Sequence, residues 1–216
     1  MEEMLEVFDE KTGMYLQTMS RKAFYEQIKK EYKETGKITK KVKVVRFLLL
    51  TSDGRIYIQK RSRNKSENPG LLDKTIGGHV QAGFSYDMAA IMECQEELAI
   101  PIMVLSKKDF EAVRDSIDLK VIGIMQKIGN WNNIISKRKL ADGSVIEQPL
   151  MVSFYIGFYN GSIRFKDGES TGVQTYDIEE LETLFEKEPF IFTEDLKFMI
   201  NKFRQYLVPL KDYCRK

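Results

Sequence analysis

Apolar and polar positions along the 216-residue chain alternate between two periods. Residues 5–18 read as strand, turn and strand, with Lys11-Thr12-Gly13 as the turn. Phe24, Ile28 and Tyr32 then recur at helical spacing behind Ser20, whose hydroxyl suits an N-cap, and Gly36 follows the stop, so a helix is predicted from Ser20 to about Tyr32. Lys43 to Thr51 is a nearly unbroken apolar run that predicts a strand; Asp53-Gly54 is a hairpin signal, and the chain returns as Arg55 to Arg61. A polar loop with Pro69-Gly70 as its turn leads to a short strand entering Gly77 and Gly78. Strands at 119–127 and 149–159 flank an irregular insert that holds Trp131 and the turn Asp142-Gly143. Asp177–Phe185 and Glu194–Leu207 are predicted helices, the second with Leu196, Met199, Ile200, Phe203 and Leu207 at core spacing.

Composition narrows the functional classes. With 43% hydrophobic and 31% charged residues the chain has the make-up of an ordinary globular protein. The 34 basic residues nearly balance 32 acidic ones, for a net charge of +2, which argues against a surface built for a nucleic-acid polymer. The basic runs Lys37 to Lys43 and Lys137 to Lys139 read as solvated turns. No apolar run long enough for a signal peptide or a membrane span is present, and Cys94 and Cys214 make neither a disulfide framework nor a zinc pattern, so the cytoplasm is the expected compartment. Without repeats or low-complexity linkers, one domain over residues 1–216 is the simplest division; oligomeric state stays open, a homodimer included.

Chemistry concentrates in Gly77–Ile100, a glycine turn running into a helix with Ser85 as N-cap and Asp87 in its first turn. Glu93, Glu96 and Glu97 share one helical face, while Met88, Ile91, Cys94 and Leu98 gather on another as the expected core seam. An acidic helix face is by itself usually just solvated. Here like charges three and four apart cost a few tenths of a kcal/mol per pair, roughly 0.2–0.5, with no lysine or arginine following in the helix to relieve them. Small residues, Ala89 and Ala90, flank the acids. Clustered carboxylates before open space suit a hard divalent cation.

The stretch resembles the Nudix box, counted from Gly78 to Ile100. Gly78, the three helix glutamates and Ile100 match that pattern; Phe84, Met92 and Ala99 stand where the family has Glu, Arg and Gly. Phe84 and Met92 replace a typically paired Glu and Arg together, as an apolar clasp would. The resemblance implies a Nudix-type α/β fold, a mixed sheet sandwiched between helices, with residues 1–42 as an N-terminal strand-helix extension. It also implies magnesium or manganese on Glu93, Glu96 and Glu97, and hydrolysis of a diphosphate bond in a nucleoside diphosphate linked to another moiety or a similar small organic diphosphate. Glu147 beside Gln148, or Glu169, is the candidate general base; Arg61, Lys65, Gly78 and His79 are candidate substrate contacts, with a structural His79 and surface charges at Arg61 and Lys65 as the plainer readings. The approach to the box further resembles the branch related to isopentenyl-diphosphate isomerase, whose isomerases carry a catalytic cysteine where Gly77 stands here. Glycine supplies no thiol, so hydrolase is the expected activity; the alternatives are an isomerase-like enzyme, a non-catalytic nucleotide sensor, or a pure interaction module.

Overall fold

The computed structural model describes residues 2–139, 143–164 and 170–213. The chain opens with an antiparallel pair, β1 (Met4–Asp9) and β2 (Tyr15–Ser20), and turns directly into α1 (Arg21–Thr35). Ser20 accepts a hydrogen bond from the Ala23 amide, and Gly36 closes the helix in the left-handed region at φ 70°, as the cap residues predict. The centre of the sheet is β3 (Lys40–Leu50), which pairs in parallel with β9 (Val145–Phe158) and antiparallel with β6 (Ile76–His79). β4 (Ile56–Arg61), β5 (Leu72–Asp73), β7 (Ile102–Leu105), β8 (Gly123–Lys139) and β10 (Ser170–Tyr176) complete it, in the order β10-β4-β3-β9-β8-β7, with β6 and β1 also on β3 and β5 on β4. A strand apolar at nearly every position is one covered on both faces. One face of β3 carries Val44 and Leu48 into a layer with α1 and α5 (Glu194–Phe203). The other carries Val45, Phe47 and Leu49 against α2 (Tyr86–Leu98). The result is the mixed α/β sheet between helices that the resemblance implies.

Several expectations are corrected. The Asp53-Gly54 turn forms, with Gly54 at φ 96°, but the ladder between β3 and β4 holds only Leu50 opposite Ile56. β4 instead leaves β3 to pair with β10 over Ile56–Arg61, which frees the edge of β3 at Val44–Phe47 for β6. The irregular insert is not irregular: β8 and β9 run as a long antiparallel pair from Ile124 opposite Phe158 to Lys139 opposite Val145. Register shifts at Lys127/Gly129 and Trp131/Ile134 break the period-two alternation that would have revealed it. Trp131 packs edge-on against Phe154 and Phe203 as a core residue. The strand expected at 119–127 begins only at Gly123, and β7 and α3 (Lys107–Val113) were not anticipated. α4 (Ile178–Lys187) is close to prediction, whereas α5 ends at Phe203 and continues as a 3-10 turn, Arg204–Tyr206. Asp142, Glu169 and Cys214 lie outside the described residues. Among the described residues no helix is long and apolar enough to cross a membrane.

Ala99 terminates α2 with φ 56°, in the region where a Cβ is crowded by the backbone. Ala99→Gly should therefore raise stability by about 1 kcal/mol, the steric relief outweighing the extra chain entropy of glycine. Equilibrium denaturant unfolding measures it; an unchanged or lowered midpoint would mean that the left-handed cap carries no strain.

Candidate active site

α2 is held at its start by three contacts. Ser85 accepts from the Met88 amide, and Asp87 accepts from Tyr155 Oη on β9 at 2.7 Å and pairs with Lys127 on β8 at 2.6 Å. The buried positions are Ala89, Ala90, Cys94 and Leu98, whereas Met88 is 51% and Ile91 41% exposed. The seam predicted through Met88 and Ile91 is thus rotated toward the alanines. Two small side chains let the helix lie close on the sheet, and that rotation brings Glu93 inward.

Glu93 then meets a strand with no side chain in its way. A Cβ on Gly78 would fall on the Glu93 carboxyl group, so only glycine at that position admits the carboxylate. Burial, with the negative charge of Glu96 and Glu3 adding to it, pushes the Glu93 carboxyl up to about 7 against the opposing effects of a Glu97 hydrogen bond and Arg21. Gln59 reaches Glu97 Oε2 at 3.5 Å, and Glu96 is exposed. Among the described residues, no three His, Cys, Asp or Glu side chains are gathered tightly enough to hold an ion as they stand. The donors fit a hard divalent cation in kind: they are carboxylate oxygens, and two of them repel unless a proton or a cation lies between.

Facing these acids across a cleft of about 410 Å³ is a basic wall. Arg46, 3% exposed, pairs with Asp195 of α5 at 2.8 Å. Lys74 lies 3.2 Å from Asp73 and 3.7 Å from Asp195. Arg138 of β8 pairs with Glu67 at 2.6 Å and donates to Tyr25 Oη of α1, which is 2.9 Å from His79 Nε2. Burial, then Arg21 and Arg138, hold the His79 imidazole well below its ordinary pKa, so it is neutral at pH 7 and serves to tie α1 to β6.

Of the residues named from sequence, Glu93, Glu96, Glu97, Gly78, His79, Arg61 and Lys65 all line this cleft. Glu147 does not: it is paired with Lys137 at 3.2 Å on the outer arm of the β8–β9 hairpin, because the residues read as a loop edge are strand. Arg61 lines the cleft with its nitrogens engaged, Nη1 on Asp73 and Nε and Nη2 on the Glu67 carbonyl, so it holds the polar loop in place. Gly77 opposes Arg46, and a side chain there would meet Lys74 Cε at 2.6 Å and the Val45 carbonyl at 3.1 Å. Phe84 packs against the α2-side core and Met92 is half-buried. Sequence reasoning passed over Arg46, Asp73, Lys74, Arg138 and Asp195. One signal was available: an arginine inside the apolar run Val44–Leu50 must be paired or functional, since a buried charge is costly without a partner.

The sheet between helices, the glycine turn and the glutamate-bearing helix are the features in which this chain resembles a Nudix domain. Residues 40–125 match the family model of the NUDIX domain. A Nudix hydrolase of Deinococcus radiodurans is 42% identical over 66 residues, covering 31% of this chain and 39% of the relative. An uncharacterized Nudix hydrolase of Pseudomonas aeruginosa, PA4841, is 43% identical over 58 residues, covering 27% and 34%. The chain thus spans well under half the length of these curated relatives. Among solved structures, DR0079 of Deinococcus radiodurans superposes with TM-score 0.61 at 19% identity, covering 93% of this chain and 98% of that one. The NUDIX domain of Shewanella oneidensis NrtR, complexed with ADP ribose, gives 0.50 at 12% identity, covering 83% and 98%. At such identities the likeness is one of fold.

The ion network on the basic wall has a pH signature. Asp73, 3% exposed, contacts Arg61 and Lys74 at 3.2 Å and accepts from Thr193 Oγ1 at 2.6 Å. Burial alone would raise its pKa, but Lys74, Arg61 and the hydrogen bonds outweigh it and hold the carboxyl well below the ordinary range. A depressed folded-state pKa contributes stability that is fully present above the unfolded value near 4 and is lost as pH falls toward the folded value. Asp73→Asn should cost about 3 kcal/mol at pH 7, and its deficit relative to the parent should shrink below pH 4. Denaturant unfolding at pH 7, 5 and 3 tests this; a constant deficit would mean that the charge of Asp73 is not what stabilises.

Proposed function

We propose that this protein is a Nudix hydrolase that cleaves a diphosphate bond in a nucleoside diphosphate linked to another moiety, or in a similar small organic diphosphate, with magnesium or manganese. The observation that carries this reading is Glu93 set against the bare backbone of Gly78, beside Glu97, at one side of a cleft whose other wall is basic. Glu93, Glu96 and Glu97 would hold the metal, which when bound neutralises phosphate charge and acidifies an attacking water. The chain's own part is to orient and to take a proton. Gly78 and the Asp87 contacts fix where the carboxylates point, Gln59 steadies Glu97, and a carboxylate of the triad accepts the proton of the water. Glu147 is replaced in that role, because it lies outside the cleft. Lys65 and the basic residues lining the cleft would supply the contacts to the phosphates.

The test is a screen of the purified protein, with magnesium or manganese, against nucleotide sugars, ADP-ribose, dinucleoside polyphosphates, nucleoside triphosphates and isoprenoid diphosphates. At least one class should turn over, only with metal. Glu97→Gln keeps the side chain's shape and removes one anionic donor; a loss of about 3 kcal/mol of transition-state stabilisation slows turnover on the order of 100-fold. Unaltered turnover in both Glu97→Gln and Glu93→Gln would take the metal site away from α2. Gly78→Ala should have a comparable effect, on the order of 100-fold, by displacing the Glu93 carboxyl while the circular dichroism spectrum stays native. If it leaves turnover intact, the position of Glu93 does not matter to the reaction.

A further inference from the structure

The cleft reaches both faces of β6, and its two ends are built differently. Successive residues of a strand point to opposite faces, and directly opposed residues of an antiparallel pair share one. Gly78 opposes Val45 on the α2 face, where Glu93 sits; Gly77 opposes Arg46 on the other, toward α1 and α5. Because neither glycine has a side chain, one cleft is lined by Glu93 and by Arg46 together, although they stand on opposite sides of the sheet.

The Arg46 end is short of acceptors. Asp195 takes Nη2, and Nη1 is buried with no hydrogen-bond partner among the described residues. Burial weighs most against the Arg46 cation; Asp195 and, less, Asp73 favour it, Arg138 opposes it, and the balance lowers its pKa. Around it Asp195 is shared with Lys74, and Ser136 also donates to it. Gln148, directly opposite Ser136 in the β8–β9 ladder, is 1% exposed with Nε2 likewise unpartnered. Buried donors without acceptors cost about 1–3 kcal/mol each, and a guanidinium answers best to a planar or tetrahedral oxyanion.

We infer that the Arg46 face of β6 is a metal-independent oxyanion subsite that takes a phosphoryl group, with Lys74 and Arg138 beside it. It is distinct from the carboxylate face, where the scissile diphosphate would lie. That the phosphoryl group belongs to the substrate rests on the hydrolase reading; that the subsite binds phosphate does not. A substrate that straddles β6 would be an organic diphosphate carrying a further phosphate beyond the bond that breaks. The same chemistry would also accept free inorganic phosphate.

The experiment is calorimetric titration of the full chain, in buffer with EDTA, using inorganic phosphate and then NAD and NADP, which differ by one phosphate outside the diphosphate. Phosphate should bind saturably. Arg46→Lys keeps the charge facing Asp195 and removes the second guanidinium donor, so it should weaken phosphate at least about tenfold, the loss of one charge-assisted hydrogen bond. Thermal unfolding checks that this variant is folded, and Gln148→Leu serves as a second variant, expected to weaken phosphate less and to leave Asp195 paired. Glu97→Gln should bind phosphate at least as tightly as the parent, because it acts on the other face. Tighter NADP than NAD, with the difference abolished in Arg46→Lys, assigns the subsite to the substrate; equal NADP and NAD with phosphate binding intact assigns it to free phosphate. No saturable phosphate binding, or binding that is unchanged in folded Arg46→Lys, overturns the subsite. Phosphate binding intact with no turnover in the substrate screen would instead sink the hydrolase reading alone.

Discussion

Two adjacent residues without side chains set the geometry of the cleft. At Gly78 any Cβ would occupy the place of the Glu93 carboxyl; at Gly77 it would run into the Lys74 side chain and the Val45 carbonyl. Both glycines pair with β3, so the backbone is hydrogen-bonded into the sheet even where its surface is bare. The strand thus acts as a thin partition. A helix can press a carboxylate onto one side and a strand can present an arginine on the other, with the cleft open to both. Ordinary strand residues at these positions would separate the acid from the base by two layers of side chains.

The second constraint is the polar layer beneath the basic wall. Arg46, Asp73 and Lys74 are almost removed from water and Arg138 is half-buried, and such charges persist only where partners and hydrogen bonds offset the lost hydration. Asp73 is fully engaged and its proton is correspondingly easy to lose. Arg46 is the exception, with one nitrogen lacking a hydrogen-bond partner among the described residues. A folded chain tolerates such a donor at the expense of a few kcal/mol of stability at most, and clefts are where donors of this kind accumulate.

How much of this was legible in the sequence follows from what carries each signal. Ser20, Gly36 and Ser85 act within a few residues of themselves, and their caps appear where local chemistry puts them. The glutamate face was legible for the same reason, since helical periodicity is local. The orientation of α2 was not. The alanines read as an open flank are the buried contact, because the sheet beneath selected close approach over the larger Met88 and Ile91. Partner choice among strands was also hidden: Asp53-Gly54 states that the chain turns, not that β4 will abandon β3 for β10. Two bulges concealed the β8–β9 hairpin and, with it, the fact that Glu147 points away from the cleft. The one legible clue to the basic wall was a charge in the middle of an apolar strand, and its meaning depended on Asp195, far away in sequence.

The family stretch ends at residue 125, but the cleft does not. Glu3, just ahead of β1, and Arg21, Tyr25 and Lys29 of α1 reach it from before that stretch, and Arg138 and Asp195 reach it from β8 and α5 after it. What lies inside the stretch is the carboxylate helix, the glycine strand, Arg46 and the loop from Arg61 to Lys74. The part of the site that would perform the chemistry therefore lies within the stretch that matches the family model, while much of the rest of the cleft wall is supplied by segments outside it. His79 is the joint between the two. Its ring touches Tyr25 of α1 from one residue beyond Gly78, so any change in how the extension packs is felt one peptide away from the backbone against which Glu93 rests. On the proposed hydrolase reading, substrate choice would therefore depend on α1, β8 and α5 as much as on the box.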